Sequence, residues 1–388
     1  MHAKSWTLVD VGRDVFVDSL CVGPTDVGGT ATRYQVKKST LRGGLRDGVD
    51  AVEIDNGRLR FVVLPTRGMG IWKAWCGDLE IGWRSPVQGP VHPKFVPLAE
   101  PTGLGWLAGF DELLCRCGLE SNGGPVYDEQ GRLQYALHGR IANTTAHRVE
   151  LSIDGDSGEI ALKGVIDEAR LYHQKLQLAS TVRTRVGESV LRISDEVVNL
   201  SAEEAQLELL YHINFGQPLL DAGSKVVLPA ARVIPQTPRA ADGISAWDTY
   251  EREQRGFAEQ VYLFELLADA AGETQTLLRN AHGNYGVSLH FTTKTLPCFT
   301  IWKSTQAASD GYVTGLEPGI NYPNLRPFES EQGRVARLAP GEKRVFELRL
   351  EVHVDAEAVA VAETKINQIL QGREPKVHDL PTLPWAPA

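Results

Sequence analysis

Apolar and polar residues alternate with a period of two along much of the chain. One such run, Leu59–Leu64, ends at Pro65, which has no backbone N–H to donate. Successive side chains of a strand point to opposite faces of a sheet, so this period is typical of half-buried strands. The same pattern predicts strands at 148–153, 159–166, 175–186, 190–199, 206–215, 285–292, 298–304, 311–316 and 344–354. Asp154-Gly155, between the first two of these, indicates a hairpin.

Other segments lack this alternation. The region 82–125 is rich in Gly, Pro and Trp, which predicts long loops with a short helix near 104–113. The segment 254–271 fits either a helix or an edge strand. The segment 355–371 predicts a helix, with Asp355 as its N-cap and Gly372 following its C-terminus. A Pro-rich extended tail is expected over 375–388.

Taken together, these elements predict an all-β protein. We expect a large antiparallel β-sandwich of two or more stacked sheets with a short C-terminal helix. The chain shows neither a repeat of fixed period nor a linker between two cores. We therefore expect a single domain over 1–388, with a core at about 52–354 and the helix and tail over 355–388.

Charge and composition exclude several partners and locations. The 388 residues carry a net charge of −9, which argues against binding to nucleic acid or to an anionic membrane surface. No signal peptide and no apolar stretch of about 20 residues is found. The five cysteines are odd in number and scattered, so Cys115 and Cys117 are interpreted as core thiols. We expect a cytoplasmic protein.

No cofactor is expected from the motifs. The chain contains no G-x-G-x-x-G, no P-loop and no G-x-S-x-G sequence. No pair of potential ligands has the short spacing typical of a metal site. Neither a nucleotide nor a metal is therefore predicted.

The strongest candidates for chemistry lie on two strands. His212 and Asn214 are two residues apart, so they share one strand face. Glu317 ends another strand before Pro318, where a partly buried carboxylate can act as a base. Histidine titrates near neutral pH and suits a general acid. A structural histidine and an exposed strand-end glutamate remain the alternatives.

Three further residues are candidates for holding a ligand. His138 precedes Gly139, which permits a close backbone approach, and Arg67 lies at a strand-to-turn junction. Lys303 alternates with apolar residues, so it is expected to face a cleft or a carboxylate. A loop histidine and a surface arginine are the simpler interpretations. Several tryptophans lie near these segments and could stack on a sugar ring: Trp72, Trp75, Trp83, Trp106 and Trp302.

In order and spacing, these segments resemble the aldose 1-epimerase (galactose mutarotase) superfamily over about 52–353, and most closely an uncharacterised aldose-epimerase-like branch. The segments that carry the resemblance are Leu64-Pro65-Thr66-Arg67-Gly68-Met69, Cys117-Gly118-Leu119-Glu120-Ser121-Asn122-Gly123, Leu137-His138-Gly139 and Gly315-Leu316-Glu317-Pro318. The resemblance implies a mutarotase-like β-sandwich. It also implies the interconversion of sugar anomers, with a small-molecule sugar as substrate.

The resemblance also implies roles for residues. His212 is expected as general acid and Glu317 as general base. The expected substrate-binding residues are Arg67, His138, Asn214, Lys303, Glu120 and Asn122. Characterised mutarotases have an Asn-Arg pair where this chain has 118–123, so the arginine is missing, and Arg67 or Lys303 is the expected replacement. Asp242 and Asp248 are candidates for the sugar-binding aspartate of the family.

Other functions remain open at this point. The same residues could serve an isomerase, lyase or hydrolase that acts on a modified or oxidised sugar. A non-catalytic sugar-binding protein is a second alternative, since a fold does not fix a function. A metal enzyme using His138, His212 and Glu317 is the weakest alternative. A homodimer is possible as the oligomeric state.

Overall fold

The computed structural model describes residues 2–387, which fold mainly into antiparallel strands. In chain order the strands are β1 (Ala3–Asp10), β2 (Val15–Phe16), β3 (Leu20–Val22), β4 (Gln35–Thr40), β5 (Asp50–Asp55), β6 (Leu59–Leu64), β7 (Gly70–Cys76), β8 (Leu79–Ile81), β9 (Leu114–Leu119), β10 (Val126–Tyr127), β11 (Leu133–Tyr135), β12 (Arg148–Asp154), β13 (Glu159–Ala169), β14 (Lys175–Arg185), β15 (Val190–Asn199), β16 (Ala205–Phe215), β17 (Lys225–Val227), β18 (Ala230–Pro235), β19 (Gln260–Leu266), β20 (Glu273–Arg279), β21 (Gly286–Thr292), β22 (Cys298–Thr305), β23 (Tyr312–Gly319), β24 (Ala336–Leu338), β25 (Lys343–His353) and β26 (Lys376–Val377).

Helices are few and mostly short. The α-helices are α1 (Pro24–Val27), α2 (Pro238–Asp242), α3 (Arg326–Glu331) and α4 (Ala356–Leu370). Single turns of 3₁₀-helix lie at Val11–Arg13, Gly44–Arg46, Pro93–Phe95, Gly105–Gly109, Ile141–Asn143, Ile244–Ala246 and Ala308–Asp310. None of the helices within residues 2–387 has the length and apolar character needed to cross a membrane.

Two large sheets contain nearly all of the strands. The ten-stranded sheet has the order β17-β20-β21-β25-β15-β14-β13-β12-β1-β2. The fourteen-stranded sheet has the order β26-β18-β19-β22-β23-β16-β9-β7-β6-β5-β4-β3, with β24 paired to β16 and β8 paired to β7. The prediction of a large antiparallel β-sandwich is confirmed.

The main hydrophobic core lies between the two sheets. It combines residues of the ten-stranded sheet, such as Leu162 and Leu178, with residues of the fourteen-stranded sheet, such as Tyr211 and Ile213. Alternation along β16 explains which of its side chains enter this core, because Tyr211 and Ile213 lie on one face of the strand and His212 lies on the other. The strand therefore presents apolar residues to one side and its polar pair to the other.

A second apolar layer covers the opposite face of the fourteen-stranded sheet. The segments before and after β9 fold back over β9 and β16, and the segment before β9 contributes Trp83, Trp106 and Phe110. Cys115 and Cys117 point into this layer and are fully buried free thiols. Both faces of the central strands are therefore covered, and the polar residues of β16 lie inside the protein.

The structure corrects the predicted elements in two segments, 254–271 and 82–125. The segment 254–271 contains β19, which pairs with β18 on one side and β22 on the other, so it is neither a helix nor an edge strand. The loop region 82–125 contains the strand β9, which was missed because it is buried on both faces and does not alternate. The short helix expected there is the turn Gly105–Gly109.

The C-terminal segment follows the prediction closely. The side chain of Asp355 caps α4 by accepting a hydrogen bond from the Ala358 N–H. The helix ends at Leu370, and Gln371 and Gly372 both take the left-handed conformation. Part of the expected extended tail forms β26, which pairs in parallel with β18. The last tail residue, Ala388, lies outside the described residues.

Candidate active site

His212 and Glu317 lie opposite each other on neighbouring strands. β16 and β23 are antiparallel, with Ile213 opposite Leu316 and Asn214 opposite Gly315. The same register brings His212 across from Glu317, on one face of the sheet. His212 Nε2 is 3.2 Å from Glu317 Oε1, and both side chains are buried. Two residues that are 105 positions apart in sequence thus meet in one buried contact.

Asn214 fixes the orientation of the His212 ring. The Asn214 Nδ2 amide donates to the carbonyl oxygen of Glu112 at 3.0 Å, so its Oδ1 faces the imidazole. Asn214 Oδ1 lies 2.6 Å from His212 Nδ1. Because Oδ1 can only accept, Nδ1 carries a proton, and Nε2 is left facing Glu317.

His138 stands next to this pair. Its ring centroid is 5.4 Å from that of His212. His138 Nδ1 is 2.7 Å from the carbonyl oxygen of Asn122, which can only accept, so Nε2 is free to accept from a ligand. His138 has a φ of 57° and Gly139 a φ of 68°. This sparsely populated conformation at a non-glycine residue is typical of a site that the surrounding structure holds in place.

Aromatic side chains form the walls of the cavity around the three polar groups. The rings of Phe110 and Trp302 lie 5.0 Å and 5.4 Å from His212, and Trp106 lies 4.7 Å from His138. The cavity has a volume of about 390 Å³, which suits a monosaccharide-sized ligand. Its lining residues are Leu104, Trp106, Leu107, Phe110, Gly124, Leu137, His138, His212, Gln236, Glu259, Val261, Trp302, Glu317 and Pro323.

Burial shifts the titration of all three polar groups toward their uncharged forms. It raises the pKa of Glu317 well above 4.5, and the nearby charge of Glu259 acts in the same direction. It lowers the pKa of His212 well below 6.5, assisted by His138 and opposed by the hydrogen bond to Asn214. The pKa of His138 falls to about 4, so this ring is neutral at physiological pH.

Arg67 does not reach the cavity, contrary to its predicted role. Its guanidinium forms a buried ion pair with Glu112 and donates to the carbonyl oxygens of Val91 and Gly109. A further bond goes to Asn143 Oδ1. Arg67 therefore joins the loops behind the site, and four of its N–H donors are already used there.

Lys303 also lies away from the cavity, because the strand alternation places it on the face opposite to Trp302. Its ammonium donates to the carbonyl oxygens of Ala246 and Thr249 at 2.7 and 2.6 Å. Burial lowers its pKa to about 8. The prediction that Lys303 sits on an apolar face holds, but its partners are backbone carbonyls and not a cleft or a carboxylate.

Glu120 and Asn122 are likewise outside the cavity. The Glu120 carboxylate lies near Arg140 and Arg170, at 3.7 and 3.8 Å, beside a separate cavity of about 170 Å³. The Asn122 side chain bonds to Asn321, and only its backbone carbonyl touches His138. The two aspartates considered from sequence, Asp242 and Asp248, do not line the cavity either.

Sequence reasoning missed several residues that line the cavity, among them Phe110, Gln236, Glu259 and Pro323. Gln236 and Pro323 lie in connections after β18 and β23, where no periodic signal marks them. Glu259 immediately precedes β19, and an assignment of 254–271 as a strand would have placed it on the face of Val261. Among residues 2–387, no three His, Cys, Asp or Glu side chains are grouped as a metal site would require.

Comparison with known proteins identifies a matching family and solved structures with a similar fold. The family described as Domain of unknown function (DUF4432) matches residues 46–352. A crystal structure of "a putative aldose 1-epimerase" from Klebsiella pneumoniae subsp. pneumoniae MGH 78578 is 31% identical, covers 97% of this chain and 98% of its own, and has a TM-score of 0.94. No curated protein matches significantly.

More distant structures share the fold alone. A "galactose mutarotase-like protein" from Clostridium acetobutylicum is 16% identical with a TM-score of 0.56, over 82% of this chain and 98% of its own. A "putative aldose 1-epimerase" from Escherichia coli K12 is 17% identical with a TM-score of 0.51, over 79% of this chain and 100% of its own. The three structures share the double-sheet architecture described above.

Proposed function

The chain belongs to the DUF4432 family and has a galactose mutarotase-like fold, and from this we propose that it is an aldose 1-epimerase-like enzyme that interconverts sugar anomers. The observation that carries the proposal is the contact of 3.2 Å between His212 and Glu317 inside an aromatic cavity. Mutarotation needs one proton donor and one proton acceptor near the same sugar ring, and this pair supplies both.

The proposed reaction moves one proton between His212 and Glu317 by way of the sugar. Glu317 takes the proton of the C1 hydroxyl while His212 Nε2 protonates the ring oxygen. The bond between C1 and the ring oxygen breaks, and C1 becomes an aldehyde carbon. After rotation about C1–C2, the reverse transfers close the other anomer. Without a ligand, burial favours the state in which both His212 and Glu317 are uncharged. A sugar hydroxyl that donates a hydrogen bond to Glu317 favours the state in which Glu317 is a carboxylate and His212 is protonated.

The remaining cavity residues orient the sugar. His138 offers Nε2 as an acceptor for a hydroxyl, and its neutral state at pH 7 keeps that lone pair available. Trp106, Phe110 and Trp302 offer ring faces to the C–H surface of the sugar. Asn214 acts through His212, because it fixes the tautomer of the ring. Such positioning contributes by holding the reacting atoms close together.

The test is the rate of anomer exchange, measured by NMR on a panel of aldoses. His212→Ala and Glu317→Gln are expected to lower kcat by about 100-fold or more, the usual effect of removing a positioned acid or base. His282→Ala and Glu196→Gln are matched controls, since both residues are on the surface and away from the cavity. Near-wild-type turnover in either cavity variant would contradict the assignment.

The same panel separates the alternative functions. New product signals would identify an isomerase, lyase or hydrolase that acts on a modified sugar. Binding of a sugar without faster exchange, and without any effect of Glu317→Gln, would identify a sugar-binding protein.

A further inference from the structure

Glu259 occupies the solvent-exposed side of the cavity and has a defined partner there. Its Oε2 accepts a hydrogen bond of 2.6 Å from the indole Nε1 of Trp302. Glu259 immediately precedes β19 and is two residues before Val261, which lies opposite Trp302 in the β19–β22 ladder. All three residues therefore share the face of the sheet that carries His212 and Glu317.

The bond to Glu259 restricts the rotation of an indole ring that stands beside the acid–base pair. The Trp302 ring lies 5.4 Å from His212 and 6.0 Å from Phe110. Without an acceptor at Nε1, only apolar contacts would hold the ring. The carboxylate thus preorganises one wall of the cavity, which lowers the entropy lost when a ligand binds.

The charge of Glu259 has no cation to balance it inside the cavity. Within the described range 2–387, neither lysine nor arginine is among the lining residues, whereas two carboxyl groups are, those of Glu259 and Glu317. The two cations considered from the sequence are bound elsewhere: Arg67 is paired with Glu112, and Lys303 donates to backbone carbonyls. A ligand that carries a carboxylate or phosphate would find repulsion here and no partner.

We propose that Glu259 sets the preference of the cavity among sugars, because it holds Trp302 as a wall and its charge disfavours sugars that carry an anionic group. This inference rests on the proposed function and extends it to the class of substrate. Uncharged aldoses are preferred over uronic acids and sugar phosphates. Two carboxylates at the separations of a sugar-sized cavity repel each other by about 1 kcal/mol in a partly solvated site, which corresponds to about a five- to tenfold difference in binding.

Two substitutions separate the charge of Glu259 from its hydrogen bond. Glu259→Gln keeps an oxygen that accepts from the Trp302 Nε1–H and removes the charge. Glu259→Ala removes both, and Glu196→Gln is the surface control. The probes are matched pairs at pH 7, glucose with glucuronate and galactose with galacturonate. Anomer exchange is followed by NMR, and binding by the fluorescence of the cavity tryptophans.

The wild type is expected to prefer the neutral member of each pair by about five- to tenfold, and less so at high salt, since the carboxylate is exposed. Glu259→Gln should bring the ratio close to one and move the acid limb of the pH profile to lower pH. Glu259→Ala should in addition raise KM for the neutral sugar and change the Trp302 fluorescence.

Several results would overturn the inference. An unchanged preference in Glu259→Gln would exclude the role of the charge, and a Glu259→Ala variant identical to Glu259→Gln would exclude the positioning of Trp302. Selective binding of neutral sugars without any exchange would refute the proposed epimerase but support the selectivity. Equal binding of both members, or binding of neither, would refute the selectivity whatever the turnover.

Discussion

At the scale of single residues, Glu317 is a carboxyl group held where its charged form is unfavourable. Its raised pKa arises first from burial and second from the charge of Glu259, whereas no arginine or lysine lines the same cavity within residues 2–387. A base of higher pKa accepts a proton from a sugar hydroxyl more readily than an ordinary glutamate does. The same burial costs stability whenever the group is ionised.

The unfavourable ionisation of buried Glu317 predicts that Glu317→Gln is more stable than the wild type but inactive. The carboxyl titrates near 4.5 in the unfolded chain and at higher pH in the folded protein. Between these values the folded state binds a proton that the unfolded state has lost, so the free energy of unfolding falls as pH rises. Glu317→Gln cannot ionise and escapes this loss. We expect its Tm to exceed that of the wild type at pH 7, and the two values to converge near pH 4, as measured by calorimetry. Equal Tm values at pH 7 would show that burial does not penalise the ionised carboxylate.

At the scale of elements, the register of β16 and β23 brings His212 and Glu317 together. Gly315 lies opposite Asn214 and two residues before Glu317, so it shares the face of the cavity. A Cβ at Gly315 would lie 2.3 Å from Glu317 Oε1 and 3.2 Å from His212 Cε1. The strand therefore requires glycine here for space, because any side chain would occupy the position of the carboxylate.

Gly315→Ala should accordingly disable the site without removing any catalytic group. The methyl group displaces the Glu317 carboxylate by about 1 Å, and a misplacement of this size typically lowers turnover by about 100-fold. Anomer exchange measures the effect, and circular dichroism checks the fold. Gly12→Ala is the control, since its new Cβ would meet no atom closer than 3.4 Å. A Gly315→Ala enzyme as active as this control would mean that the carboxylate does not work from its present position.

At the scale of the whole molecule, a buried ion pair joins the two sheets next to β16, the strand that carries His212. Arg116 of β9 pairs with Asp195 of β15 and also donates to Ser180 Oγ at 2.8 Å. The hydroxyl of Tyr211, the neighbour of His212, donates to the same aspartate at 2.8 Å. This network fixes how the sheet that carries the site packs on the other sheet.

Breaking this pair on one side leaves an uncompensated charge in the core. Asp195→Ala is expected to lower the free energy of unfolding by about 3–5 kcal/mol, whereas the double variant Arg116→Met/Asp195→Leu should recover most of the loss. Glu188→Ala, which breaks an exposed pair with Arg192, should cost less than about 1 kcal/mol. Urea denaturation measures all three. A loss in Asp195→Ala no larger than in Glu188→Ala would show that the network is not structural.

The local sequence was sufficient to predict the alternating strands, the cap at Asp355 and the shared face of His212 and Asn214. Each of these depends on side-chain direction or hydrogen bonding within a few residues. The family resemblance, more than any pattern, singled out His212 and Glu317 together. Arg67 and Lys303 were expected to bind a ligand, but neither side chain reaches the cavity. Their positions depend on which atoms surround them in the folded protein, and local sequence does not contain that information.

The amino-acid sequence by itself determined the fold class, because a period of two requires sheets with one face turned to a core. Only the tertiary structure decided the composition of the cavity. The segment before β9 returns over β16 and brings Phe110 and Trp106 to His212, while β19 brings Glu259. The physical reason is that a ring or a charge acts across space, and the chain folding that sets these distances joins segments more than a hundred residues apart.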